Sequence, residues 1–184
     1  MNLTLTWDLF IIVFFAIVIT YSFIIGKRES VKIIVATYIA IIAVQAIGNV
    51  IERLLGGSEG VFRVLGLSFD VTLVATVKII LFITVIIALA IKAGIEVKYF
   101  KEPRFIFNTI LSALFGFTTA GLLLSTLLTY VADVPLLSGL PQASSLSPIF
   151  AQSQLMQVMI LNQDLWFSLP ALLILAAGFL SNRA

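Results

Sequence analysis

The chain has 184 residues, of which 61% are hydrophobic and 11% charged, with a mean hydropathy of +1.17 and a formal net charge of +2. That charge content is far below that of an ordinary water-soluble domain. Cysteine and histidine are both absent, which removes thiol nucleophiles, disulfides, imidazole bases and soft-ligand metal sites together.

Four long apolar runs follow in chain order: Trp7 to Ile25, Val31 to Ile51, Val71 to Ile91 and Ile106 to Val131. Each is long enough to cross the hydrocarbon of a bilayer as a helix. They predict an all-α membrane protein. Residues 1–132 form a bundle of four transmembrane helices, and 133–184 form an irregular connection with a C-terminal apolar helical region. No basic residue precedes the first run, and Gly26-Lys27-Arg28-Glu29 follows it in place of a small-residue cleavage pattern, so it reads as a retained anchor.

The pI of about 9.0 reflects basic residues placed beside apolar runs rather than a nucleic-acid surface, and no nucleic-acid partner is expected. Lys27, Arg28 and Lys32 surround the first connection, and Lys92, Lys98, Lys101 and Arg104 the third. The long second connection has only Arg53 and Arg63, and the stretch from Asp133 to Gln163 has none. This alternation predicts an outside N-terminus, with the first and third connections in the cytoplasm.

Within the second connection, Leu54 to Gly60 reads as a flexible turn. Val61 to Leu67 reads either as a short interfacial helix or as an ordered surface loop. From Lys92 to Arg104, charges alternate with Val97, Tyr99 and Phe100, suiting a helix end that runs into headgroups before a break at Pro103.

Beyond the fourth run, Pro135, Gly139, Pro141 and Ser144 to Pro148 mark an irregular connection, with Ser147 before Pro148 as a candidate helix start. Ile149 to Gln163 mixes apolar residues with four glutamines and carries no positive face, so as a helix it would pack on the bundle or on a partner. Asp164 is placed to cap a last segment, Leu165 to Phe179, with Pro170 inside. Its fifteen residues span about 22 Å as a helix, marginal for a crossing, so an interfacial piece, a re-entrant piece and a fifth helix all remain open.

Two sets of residues inside the apolar runs are candidates for function. Lys78 lies about 10 Å into the third run, where a charge must snorkel, face a wet cavity or meet an acid. Gln45, Gly48, Asn49 and Glu52 form a polar stripe at the outer end of the second run. If the two helices are antiparallel, Gln45, Asn49 and Lys78 share a depth, with Asp8, Glu52 or Asp70 as the source of negative charge. One reading is snorkelling plus structural bonding, and the other is a solute- or ion-contacting vestibule. In the fourth run, Ser112, Gly116 and Ala120, then Gly121 and Ser125, recur at close-packing spacing. They predict a helix-packing face toward the same chain or toward a second copy. Thr118 and Thr119 are weaker indications of a path, because hydroxyls also bond their own helix.

The acidic residue opening the first run at Asp8, the glycine-basic turn at Gly26-Lys27-Arg28, the four apolar helices, Phe115-Gly116 and the serine-rich stretch before a last apolar segment together resemble the colicin V production protein family of bacterial inner-membrane proteins. Glu29 stands near where that family's turn commonly has a second glycine, and no basic residue follows Gly116. The resemblance implies a multi-pass inner-membrane protein acting in peptide-toxin production, secretion or envelope homeostasis, with membrane lipid and an oligomeric or membrane-complex partner around it. No nucleophile–base pair or paired acids with an evident separation can be picked out, so neither an enzyme nor a cofactor is expected. A small transporter or channel subunit is the alternative.

Overall fold

The computed structural model describes residues 7–56, 71–92, 105–132 and 153–181. All secondary structure in them is helical: α1 (Trp7–Gly56), α2 (Val71–Lys92), α3 (Phe105–Ala132), α4 (Gln154–Leu161) and α5 (Gln163–Ser181). By length and composition three of these helices are apolar enough to cross a membrane, and four if the bent pair α4–α5 counts as one span. The apolar part of α1 alone, Trp7–Val50, has 44 residues. Unbroken, it would be about 66 Å long, twice the thickness of a hydrocarbon core.

It is broken at Gly26, whose backbone sits at φ 78° and ψ 171°, a conformation essentially confined to glycine. The chain folds back there. Ser22 and Ser30, eight residues apart, hydrogen-bond through their hydroxyls at 2.6 Å, whereas a continuous helix would separate them by about 12 Å along its axis. The Ser22 hydroxyl also reaches the Ser112 carbonyl at 3.0 Å, and that of Ser30 reaches the Gly26 carbonyl at 3.1 Å. The charged connection expected over residues 26–30 is thus a one-residue break, because helix resumes at Lys27. Beside this tip, Lys27 Nζ donates to Asn108 Oδ1 at 2.7 Å and Lys32 pairs with Glu29 at 2.8 Å.

α3 is the central helix. The first limb of α1 runs antiparallel to it: Lys27 meets Asn108, Ser22 meets Ser112, Phe15 stacks on Phe117 at 5.4 Å, and Ile11 clusters with Leu124 and Leu128. The second limb contributes Val31, Ile34, Ile41 and Val44 to the main core, with Phe82 of α2 and Leu111, Phe115, Leu122 and Tyr130 of α3. Phe82 and Tyr130 pack edge to face at 5.7 Å.

The last two helices meet at a 65° bend around Asn162. Ser153 caps α4: its side chain accepts from the Met156 amide at 3.1 Å. Ser147 and Pro148 lie outside the described residues, as do Val61 to Leu67, Asp70 and the stretch 93–104. α5 begins beside the middle of α3, with Trp166 against Gly121. Its Phe167 and Ala177 join the main core, with Leu173 and Ile174 packed against it.

Candidate functional site

The residues singled out in the sequence separate into three places. At the far end of the hairpin from Gly26, Asp8 does not turn to Lys78. Its Oδ1 accepts from the Ser153 hydroxyl at 2.5 Å and from the Leu155 amide at 3.2 Å. Two of the amides at the start of α4, which no helical carbonyl can satisfy, are thus bound by Asp8 and Ser153, and a carboxylate sits at the positive end of the helix. Asp8→Ala should therefore loosen α4 rather than the whole bundle. The expected cost is about 1 kcal/mol, seen as amide exchange at Leu155 and Met156 faster by several-fold, with Asp8→Asn intermediate because it keeps an acceptor. Unchanged exchange in both variants would contradict the cap.

Lys78 lies half-buried on α2 across from Gly48 of the second limb; a Cβ added at Gly48 would stand 3.1 Å from Lys78 Cε. Glycine at this position leaves the lysine stem a slot over the neighbouring backbone, so the two helices are level here as the sequence implies. Gln45 and Asn49, flanking Gly48, are exposed on the outer side of the limb. The side chain of Glu52, like Asp70, lies outside the described residues. Lys78 and Gly48 are brought together, while Gln45 and Asn49 point away and Asp8 serves another partner.

The small residues of α3 divide between two neighbours. Ser112 and Gly116 face the first limb: a Cβ at Gly116 would meet Ser22 Cβ at 2.7 Å and the Ile19 Cα at 3.0 Å. Gly121 and Ser125 face the broken helix, where the Trp166 ring lies on Gly121 and the Ser125 hydroxyl donates to the Met159 carbonyl at 3.1 Å. Ala120 is fully buried. The partner helices belong to the same chain. The buried threonines Thr118, Thr119, Thr126 and Thr129 donate to carbonyls of α3 itself, three or four residues back, as intrahelical back-bonding requires.

Three connections escape the sequence reading. Ser22 and Ser30 stand four residues either side of Gly26, a symmetry that marks them as facing one another once the chain reverses there. Tyr38 donates to the Phe167 carbonyl, tying the second limb to α5 in the turn before Pro170. A proline in an apolar helix and a tyrosine in a neighbouring one are the available signals. The third is the ring cluster of Phe15, Phe117 and Trp166, with centroids 5.4 to 5.8 Å apart.

Among the described residues no group of acids is placed to hold a metal ion. Comparison with protein-family models, curated proteins and solved structures gives no match to this chain.

Proposed function

We propose that this chain is a non-enzymatic, multi-pass protein of a bacterial inner membrane that supports secretion or envelope homeostasis by assembling within the membrane rather than by chemistry. In this reading α1 crosses twice with the basic Gly26 tip in the cytoplasm and α2 and α3 cross once each. α4 then lies at the outer surface while α5 returns through the bundle.

The observation that carries the reading is the use made of buried hydroxyls. Ser22, Ser30, Ser125 and the threonines Thr118, Thr119, Thr126 and Thr129 are buried, and their hydroxyls bond helix carbonyls or, for Ser22 and Ser30, one another. Such groups hold helices together. The colicin V production protein resemblance points to the same kind of role.

Transport of a small solute or ion is the second reading, favoured by Lys78 over Gly48 within an apolar helix pair and by the bent helix at Asn162, an arrangement that transporters use at their sites.

Two measurements on one variant separate these readings. Lys78→Met should restore resistance to envelope-disrupting detergent in cells lacking the chain as fully as the unaltered protein. Purified protein in vesicles should give no ion or solute flux. Flux that falls at least tenfold in Lys78→Met, at equal amounts of folded protein, would replace assembly with transport.

A further inference from the structure

Tyr38, on the second limb of α1, donates its hydroxyl proton to the Phe167 carbonyl of α5. The same hydroxyl hydrogen-bonds the backbone of Ala171, and what a main-chain residue offers to a hydroxyl oxygen is its N–H. Phe167 and Ala171 stand four residues apart in one helix, so they are the carbonyl and the amide of a single rung of its ladder. A side chain from a neighbouring helix thus addresses both members of one rung of α5.

Pro170 makes this the weakest point of the helix. It is buried, as Phe167 and Ala177 are, and it has no amide to give the Trp166 carbonyl. One rung is missing by chemistry, and the next is shared with Tyr38. Helices bend where a proline or an inserted side chain interrupts the ladder, and here the two interrupt consecutive rungs. On either side α5 is held: Trp166 lies against Gly121 of α3, and Ala177 is buried in the main core.

A hydroxyl suits this position because it is donor and acceptor at once. An opened rung in apolar surroundings leaves two groups unsatisfied, whereas a hydroxyl set between them serves both. When it withdraws, the rung closes directly, and the Trp166 carbonyl, deprived of its amide by Pro170, offers the hydroxyl an acceptor one residue away. Both arrangements keep Tyr38 and the rung bonded, so little free energy separates them. That near balance is what a two-position element requires.

We infer that the Tyr38 hydroxyl is a latch seated in the 167–171 rung, through which the second limb of α1 sets the bend of α5 at Pro170. Movement of the limb against α5 opens the rung or lets it close. The inference stands on contacts within the chain and is independent of the direction in which the helices cross a membrane.

Tyr38→Phe removes the hydroxyl and keeps the ring that packs against the core. With the latch gone the rung closes, so amide exchange at Ala171 in the detergent-solubilised full chain should slow about fivefold relative to Leu173, the worth of one ordinary hydrogen bond. A tyrosine that only anchors α5 gives the opposite sign, because losing a tie between helices loosens α5 and speeds exchange. The chain contains no cysteine, so spin labels at Asp164→Cys and Phe179→Cys, both exposed positions, report the bend across about 22 Å of helix. Their distance distribution should narrow in Tyr38→Phe. It should narrow also in Pro170→Ala, which restores the 166–170 rung and carries the test should Tyr38→Phe fail to fold.

Unchanged or faster exchange at Ala171 overturns the inference, as does a distance distribution that keeps its width in either folded variant.

Discussion

Leucine in place of Gly121 should cost about 3 kcal/mol or more and lower the thermal midpoint of the detergent-solubilised protein further than any other single change considered for α3. A Cβ at that position would overlap the Trp166 ring itself, so even alanine displaces the indole. The ring has little room to yield, because Phe15 and Phe117 stand against it at 5.8 and 5.6 Å. Overpacking of an enclosed site typically costs about 1–3 kcal/mol, and a leucine directed into a pinned aromatic ring belongs at or above the top of that range. The damage should be local in origin: α5 is levered from α3, and the Tyr38 link to Phe167 is lost with it. Gly121→Leu combined with Trp166→Ala should therefore recover more than half of the loss, since the second change removes the obstruction. Additive destabilisation in the double variant would show that the two residues do not oppose one another.

Gly116→Leu should be nearly as damaging, by roughly 2 kcal/mol, through a different contact. The atoms a side chain would strike include the Ile19 Cα at 3.0 Å, and backbone cannot rotate aside as a side-chain end can. The first limb would have to move away from α3, breaking the Ser22 bonds to Ser30 and to the Ser112 carbonyl. The opposing helix is in the same chain, so the variant should lose folded protein generally, measured by the midpoint of unfolding, with no separate loss of an oligomer. A well-folded monomer replacing a native oligomer would instead place Gly116 at an interface between copies.

Much of this architecture is legible in the sequence for a simple reason. A bilayer of fixed thickness demands apolar runs of a fixed minimum length, and Val71 to Ile91 and Ile106 to Val131 match α2 and α3 to within one residue at each end. Which faces pack together is much less legible. Lipid is as apolar as a leucine side chain, so the contrast between inside and outside that marks a soluble helix is largely erased. Ile17, Ile24, Ile42 and Ile80 are exposed, whereas Ile34 and Ile160 are fully buried, and nothing in the residue type separates them. The small residues carry what signal there is. Ser112, Gly116, Gly121 and Ser125 are all at helix contacts, although the sequence could not tell that the first pair meets the first limb and the second pair meets the broken helix.

The candidate polar site was legible only as a depth. Gly48 and Lys78 do meet, as two antiparallel helices of the expected lengths require. Asp8 could not be assigned from spacing, because its partners, at the start of α4, are more than 140 residues away in sequence. Polar side chains near the end of an apolar helix are ambiguous between a site and a cap until the neighbouring helix terminus is located.

The central claim is that Gly26 turns the chain back so that the two limbs of α1 cross the membrane in opposite directions, with the basic tip inside. Labelling of single cysteines with a membrane-impermeant reagent tests it most directly. Arg28 at the tip and Asp164 at the bend of the broken helix are both exposed, unlike Ser30, which is 1% exposed. Arg28→Cys should be labelled only when the cytoplasmic side is opened to the reagent, and Asp164→Cys should be labelled in intact cells. Labelling of both positions from the same side would contradict the account.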